Sequence, residues 1–213
     1  ELRILEQSHH LIKNECNNLI NNDFQIIDIQ NLAGKYTQGG IHTIKWKSYL
    51  LKAGEFVEEN CQLCPETTKL LAQIPGVHLA FFSILYPKQY IKPHFGYYKG
   101  FLRYHLGVIV PAENHHLKLC WLRVNDDGET NASRDKKAIE QGEKYYWQEG
   151  EGVIFDDTLL HDAMNDSDQI RVVLWLDIER PMKRPLNWIH HGLIKLGMKH
   201  PVLKKVRENA IIR

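Results

Sequence analysis

The feature that most constrains the fold is a succession of short β-rich segments in the second half of the chain. Gly, Pro, Asn or Asp punctuates these segments, which lie at 77–85, 89–94, 101–110, 117–124, 144–147, 152–155, 159–164 and 170–178. About eight short strands at such spacing are typical of an all-β sandwich or barrel, and this number suits a jelly roll. We therefore predict a mainly β fold, a double-stranded β-helix of the jelly-roll or cupin-like class, with helices flanking it at the N- and C-terminal ends.

The residues before this stretch have mixed character. Apolar residues recur at helical spacing in 1–22, and a short helix is predicted at 67–73, while 41–51 begins with the alternation of an extended strand. We expect a jelly-roll domain over 1–182, with helical support in about 1–76 and the β core in about 77–180, and a separate tail at 183–213.

The tail, residues 183–213, differs from the rest in composition. It holds eight Lys and Arg residues against one acid, Glu208, and its apolar residues recur at helical spacing beside Trp188. Such a basic amphipathic segment can pack its apolar stripe onto the barrel and leave its lysines in water. It can also make a peripheral contact with an anionic membrane surface.

A polar stretch at 125–143 interrupts the β-rich half. It contains Asp-Asp-Gly at 126–128 followed by a run of mixed charge. We expect an exposed loop or the tip of a long hairpin. A lid over an active site is the alternative, because functional residues are frequently carried on loops.

Charge and cysteine content limit the classes of partner and compartment. Lys and Arg total 27 against 26 Asp and Glu, so net charge gives no reason to expect a nucleic-acid partner. No apolar run is long enough to span a bilayer and no signal peptide is visible, so we expect a cytoplasmic protein. The four cysteines are expected to be free thiols; a structural zinc or redox role is the alternative for Cys61 and Cys64.

Two histidines in the β-rich stretch share a pattern, because an arginine follows each of them about ten residues later. The pairs are His94 with Arg103 and His161 with Arg171. Strands that are distant in sequence can be neighbours in a barrel, so the two imidazoles can meet at one metal ion. A histidine that is simply satisfied in the core or at the surface is the alternative for each.

The arginines suggest an anionic ligand. Arg103 and His105 share one face of a predicted strand, since side chains alternate with a period of two. Arg171 opens an apolar strand, and a cation inside an apolar barrel needs a counter-ion or a ligand carboxylate. The guanidinium fork pairs well with a dicarboxylate. Pairing with acids of the same chain is the alternative, and the candidates are Asp156, Asp157 and Asp177.

At this point the sequence resembles a known family. Residues 93–96 read Pro-His-Phe-Gly, 103–107 read Arg-Tyr-His-Leu-Gly and 155–157 read Phe-Asp-Asp, followed by His161 and Arg171. These motifs, in this order and spacing, are similar to the aspartyl/asparaginyl β-hydroxylase family of Fe(II)- and 2-oxoglutarate-dependent dioxygenases. The resemblance covers roughly residues 46–181.

The resemblance implies roles for individual residues. His94 and His161 would be the two iron ligands, and together with Arg103 they would form the catalytic set. The implied contacts of the 2-oxoglutarate cosubstrate are Arg103 and His105 at the carboxylate next to the iron, Ser83 and Arg171 at the distal carboxylate, and Trp46 in the pocket lining. The position two after His94 is Gly96, so the carboxylate ligand of related oxygenases is absent; the family shows the same omission, with water at that position.

The resemblance also implies an activity. O₂ and 2-oxoglutarate would be consumed while an unactivated C–H bond is hydroxylated, and the family's default substrate is the β-carbon of Asp or Asn in a peptide or protein. Hydroxylation of a lipid acyl chain at a membrane surface is an alternative substrate class. A non-catalytic jelly-roll binding module is the alternative outside enzymes, although the complete set of predicted site residues argues against it.

Overall fold

Two antiparallel β-sheets form the body of the protein in the computed structural model, which describes residues 1–22, 26–29, 44–111 and 118–211. The larger sheet has seven strands: β1 (Ile27–Asp28), β2 (Trp46–Ala53), β3 (Glu55–Phe56), β4 (Val77–Leu85), β6 (Phe101–Ile109), β9 (Gly152–Phe155) and β11 (Arg171–Glu179). Their order is β1-β2-β4-β11-β6-β9, and β3 pairs with β2.

The smaller sheet has four strands in the order β5-β10-β7-β8. They are β5 (Gln89–His94), β7 (Cys120–Asn125), β8 (Glu143–Tyr146) and β10 (Leu160–Asn165). All eight β-rich segments predicted from the sequence are therefore strands, and the mainly β architecture is confirmed. The predicted strand at 41–51 is β2, whose described part begins at Trp46; residues 41–43 and 117 lie outside the described residues.

Helices flank the sheets at both ends of the chain, and shorter helices lie between strands. They are α1 (Arg3–Gln7), α2 (His9–Asn21), α3 (Glu58–Gln62), α4 (Pro65–Ala72), α5 (Gly128–Ser133), a 3₁₀ helix (Lys136–Gln141), α6 (Leu186–Met198) and α7 (Pro201–Ala210). Of the helices in the described ranges, none is both long and apolar enough to cross a lipid bilayer.

The alternation of side chains along the larger sheet separates two cores. On β11, Val172 and Leu174 face a core that also contains residues of α1, α2 and α4. Val173, between them, faces a second core shared with Ile91 and Leu122 of the smaller sheet. Helices α1, α2 and α4 thus cover one face of the larger sheet, and the smaller sheet, with α7, covers the other. Polar residues that share the Val173 face lie between the two sheets, where they can form a site.

The segment at 125–143 connects the antiparallel strands β7 and β8, as predicted for the tip of a long hairpin, and most of its residues are exposed. It is not an irregular loop, because it folds into α5 and the 3₁₀ helix. The Asp127 carboxylate caps α5 by accepting a hydrogen bond from the Thr130 amide at 2.7 Å. Ile139 is buried in a small cluster with Phe95 and Leu160. A cap and one apolar anchor therefore organise a segment whose composition is otherwise that of a solvated loop.

Candidate active site between the two sheets

His94 and His161 lie side by side in the smaller sheet. β5 and β10 are antiparallel neighbours, and their register pairs His94 directly with His161. The centroids of the two imidazole rings are 4.1 Å apart. A metal–nitrogen bond to histidine is about 2.1 Å long, so one ion can contact both rings. Strand pairing thus brings together two residues that are far apart in sequence.

The backbone fixes which nitrogen of each ring is free. His94 Nδ1 lies 2.8 Å from the carbonyl oxygen of Lys92, and His161 Nδ1 lies 2.8 Å from that of Leu159. A carbonyl oxygen only accepts, so each Nδ1 carries the hydrogen and donates it. Each Nε2 is left with its lone pair, which is the usual arrangement of a metal-binding histidine.

Burial keeps both rings neutral. It lowers the pKa of His94 to about 4, and the neighbouring Arg103 guanidinium acts in the same direction. Burial and the His94 ring lower the pKa of His161 well below its ordinary value. A metal ion binds the neutral imidazole, so these shifts leave the pair ready to bind metal at neutral pH.

The lowered pKa predicts a pH-dependent stability for the metal-free protein. Between about pH 6.5 and 4 the unfolded chain binds a proton at His94 that the folded protein excludes, so stability is full above this window and falls as the pH drops through it, by at most about 3 kcal/mol. Urea unfolding at a series of pH values measures this loss. His94→Gln should show a smaller loss over the same window, and equal losses in both proteins would contradict the assignment.

Gly96 explains why no carboxylate joins the two histidines. Its amide donates to the carbonyl oxygen of Asp157 at 2.7 Å, and a Cβ at position 96 would collide with the Asp157 carboxylate. Within the described ranges, no group of three or more His, Cys, Asp or Glu side chains could hold a metal ion. The described residues therefore bring two imidazoles together here without an adjoining third His, Cys, Asp or Glu ligand.

A narrow cavity lies beside the two histidines, between the sheets. Six of the seven residues predicted for the site line it, and they are Trp46, Ser83, His94, His105, His161 and Arg171. Hydrophobic side chains complete the wall, among them Trp147, Phe155 and Trp175. The fold thus brings the predicted residues to one place.

Three residues of the cavity wall have buried polar atoms without a hydrogen-bond partner among the described residues. They are His105, at both ring nitrogens, Trp147, at Nε1, and Arg171, at Nε. Burial, together with Arg103 and Arg171, lowers the pKa of His105 well below its ordinary value. Buried polar groups are nearly always hydrogen-bonded in native proteins, so unsatisfied groups at one cavity indicate a polar ligand.

Arg171 is a buried cation. Only 2% of its surface is exposed, and its guanidinium lies 4.5 Å from the centroid of the Trp147 ring. Burial lowers its pKa to about 10. In the part of the chain that the structure describes, none of the ion pairs includes Arg171. The site therefore presents a cation that a ligand carboxylate would neutralise.

The acids that could have paired with Arg171 are engaged elsewhere. Asp157 and Asp177 hold Arg103, at 2.9 and 3.0 Å, and Asp156 holds Arg180 at 2.6 Å. Arg103 also lies 4.0 Å from the ring centroid of Trp175. Arg103 is thus ion-paired beside the cavity rather than part of its wall. Its role at the cosubstrate stays a prediction.

Trp46 and Ser83 form a polar corner near Arg171. Trp46 Nε1 donates to Ser83 Oγ at 2.9 Å, and both side chains are buried. The register of the larger sheet places Trp46 and Arg171 opposite Leu85, two residues from Ser83. The Ser83 hydroxyl retains its own hydrogen, so it can donate to a ligand next to the guanidinium.

The sequence analysis missed Trp147 as a site residue. It lies just beyond β8 and is 4% exposed, and its indole forms the surface on which Arg171 stacks. In the sequence it was only the last residue of a short predicted strand. Which face it occupies depends on the pairing of β8 with β7, and nothing local in the sequence specifies that register.

The sequence is similar to those of known proteins. The family model described as aspartyl/asparaginyl beta-hydroxylase matches residues 6–181. The ornithine lipid ester-linked acyl 2-hydroxylase of Rhizobium tropici is 36% identical over 166 residues, which are 78% of this chain and 52% of that protein. Human aspartyl/asparaginyl beta-hydroxylase is 27% identical over 146 residues, 66% of this chain and 16% of that protein. The chain thus spans about half, or less, of these relatives' length.

The fold is also shared with a solved structure. A non-haem α-ketoglutarate-dependent carbocyclase from nogalamycin biosynthesis superposes with a TM-score of 0.51, covering 81% of this chain and 75% of that one at 12% sequence identity. A likeness at this identity concerns the fold alone. Together with the two packed sheets, it confirms the predicted double-stranded β-helix class.

Proposed function

The chain belongs to the aspartyl/asparaginyl β-hydroxylase family, and from this premise we propose that it is an Fe(II)- and 2-oxoglutarate-dependent dioxygenase that hydroxylates an unactivated C–H bond. One observation carries the proposal. Two neutral imidazoles with free Nε2 atoms line the same cavity as a buried arginine that has no counter-ion in the described chain. This combination fits a metal ion together with an anionic cosubstrate.

His94 and His161 would hold the iron through Nε2. When bound there, iron supplies the chemistry by which O₂, 2-oxoglutarate and a substrate C–H group become CO₂, succinate and an alcohol. The hydrogen bonds from each Nδ1 to the backbone orient both rings before any metal arrives. The protein's contribution is therefore ligand geometry, and the redox chemistry belongs to the cofactor.

Arg171 and Ser83 would hold the distal carboxylate of 2-oxoglutarate, with Trp46 and Trp147 enclosing it. A carboxylate at this position would neutralise the buried guanidinium and accept the hydrogen of the Ser83 hydroxyl. The tryptophan walls exclude water, which strengthens both interactions. His105, whose ring nitrogens have no other partner in the described chain, would donate to the same ligand.

Two substrate classes compete, and we assign a lipid acyl chain ahead of an Asp or Asn side chain in a peptide. The lipid class is supported by the 36% identity to a protein named as an ester-linked acyl 2-hydroxylase. It is also supported by α6, a helix with several exposed apolar side chains. The peptide class is supported by the family and by the 27% identity to the human β-hydroxylase.

The proposal predicts Fe(II)-dependent formation of succinate from 2-oxoglutarate. We expect turnover to rise when a lipid with an ester-linked acyl chain is supplied in mixed micelles, with one oxygen atom added to the acyl chain by mass spectrometry. Oxygen added instead to an Asp- or Asn-containing peptide would select the other substrate class. Iron-loaded protein that consumes no 2-oxoglutarate under any of these conditions would favour a binding module and contradict the proposal.

A further inference from the structure

The helix α6 exposes an unusual concentration of large apolar side chains. Nine large apolar residues of the described chain are strongly exposed, and five of them lie on this one helix. Four of the five form what we call the α6 apolar face: Leu186 (61% exposed), Ile189 (60%), Leu193 (56%) and Leu196 (71%). The fifth, Trp188 (65%), is exposed on an adjoining side of the same helix. Single exposed apolar residues are ordinary, but a contiguous group marks an interaction surface.

The spacing of the residues of the α6 apolar face places them on one side of the helix. Leu186, Ile189, Leu193 and Leu196 are three or four residues apart, so they lie on one side of the helix. His190 and Ile194 lie on another side and are buried, which holds α6 against the body of the protein. The helix is therefore anchored along one side while its apolar face remains in water.

The Asp, Glu, Lys and Arg residues of α6 and of its flanking segments are of one sign, although the carboxylate of Glu179 contacts His191 on the helix. Lys183, Arg184, Lys195 and Lys199 flank the α6 apolar face, and residues 183–207 contain no Asp or Glu. Cations beside exposed apolar side chains complement an anionic lipid surface, into which such a helix sinks its apolar face. A symmetric contact with a second copy of this chain would bring the same cations together, so self-association is disfavoured.

The α6 apolar face is connected to the candidate active site through the loop at 96–100. Tyr98 in this loop lies with its hydroxyl 3.0 Å from His190 Nδ1 on α6. The preceding residue, Tyr97, is 70% exposed, and β5, which carries His94, ends just before the loop. An apolar groove lies between the loop and the C-terminal helices, and its wall includes Tyr98, Phe101, Leu193, Met198 and Leu203.

We infer that the α6 apolar face docks the protein onto an anionic lipid membrane, with the 96–100 loop held at the bilayer surface. This surface lies outside the metal and cosubstrate site. The inference rests on the proposed function, because a lipid substrate would explain why the protein docks on a membrane. Docking itself requires neither iron nor 2-oxoglutarate. Its failure can therefore be told apart from a failure of the proposed hydroxylation.

Vesicle sedimentation tests the docking. The metal-free protein should pellet with vesicles of phosphatidylcholine and phosphatidylglycerol, bind far less to phosphatidylcholine alone, and be released by raised salt. The double variant Leu193→Asp/Leu196→Asp should bind at least about tenfold more weakly, because two inserted side chains become charged. Its thermal unfolding should match the wild type, since both side chains are exposed.

A matched control changes two exposed apolar residues elsewhere, Leu63→Asp/Ile154→Asp, and should bind like the wild type. Lipids brominated in the acyl chain should quench tryptophan fluorescence, and Trp188→Phe should remove most of that quenching because Trp188, on the same helix, is the strongly exposed tryptophan of the described chain. Wild-type protein that stays in the supernatant, or a Leu193→Asp/Leu196→Asp variant that pellets equally, would overturn the inference. Self-association lost in that variant, without vesicle binding, would assign the face to a second copy instead.

Discussion

Replacing Arg171 by methionine is expected to weaken 2-oxoglutarate binding by about ten- to a hundredfold and, at the same time, to stabilise the ligand-free protein. A charge-assisted hydrogen bond to a carboxylate contributes about 1.5–3 kcal/mol, which gives the loss in affinity. The fully buried guanidinium, with its pKa lowered to about 10, costs about 3 kcal/mol in the charged form. Its contact with Trp147 returns about 2 kcal/mol.

The net expectation is a gain of about 1 kcal/mol in unfolding free energy, because the relief of the buried charge outweighs the lost cation–π contact while methionine fills the space against the ring. Urea unfolding without ligands measures the gain, and a titration with 2-oxoglutarate measures the loss in affinity. The two opposite signs distinguish a ligand-binding arginine from a structural one.

Arg123 provides the matched control. It is also a buried arginine, but Asp162 accepts from it at 2.7 Å and Glu140 at 2.6 Å. Arg123→Met leaves the buried Asp162 carboxylate without its cation and with only the Tyr90 hydroxyl as a side-chain donor, so this variant should lose about 3–5 kcal/mol of stability. Destabilisation of Arg171→Met by a similar amount, or a change in 2-oxoglutarate affinity of less than about threefold, would contradict the assignment of Arg171.

Replacing His161 by alanine is expected to reduce Fe(II)-dependent succinate formation to background. If the two histidines are the iron ligands, as proposed, one imidazole alone would have to hold the metal, because no third candidate ligand joins them in the described chain. His94→Ala should have the same effect. Succinate formation at saturating 2-oxoglutarate measures the loss, and far-UV circular dichroism establishes that each variant is folded.

His10→Ala is the control for these variants. His10 is exposed on α2, so its loss removes an imidazole without touching the cavity. Full activity is expected in this variant. Turnover by His161→Ala comparable to that of the wild type would eliminate His161 as an iron ligand.

The fold was largely predictable because strand length and alternation are local properties of the sequence. The eight β-rich segments are strands, with boundaries displaced by a few residues at most. Alternation also separated Arg103 and His105 from Tyr104, which lies in the core on the helix side of the larger sheet. A period of two assigns faces reliably wherever one side of a strand is buried.

Long-range pairing was not predictable from the residues alone. That β5 lies beside β10, and brings His94 to His161, followed from the family resemblance and not from any local pattern. Likewise, Asp157 and Asp177 could have paired with either arginine, and only the fold assigns both of them to Arg103. The two helical turns within the exposed β7–β8 connection were not predicted, because a capping carboxylate and one buried residue, Ile139, organise an otherwise polar sequence.

Anaerobic titration of the metal-free protein with Fe(II) and 2-oxoglutarate tests most directly whether two imidazoles and a buried arginine form one site. We predict a weak visible charge-transfer band that requires both components and saturates at one iron per chain. The band should be absent from His161→Ala and should need about ten- to a hundredfold more 2-oxoglutarate in Arg171→Met. A wild-type protein without the band, or a His161→Ala variant that shows it unchanged, would contradict the account.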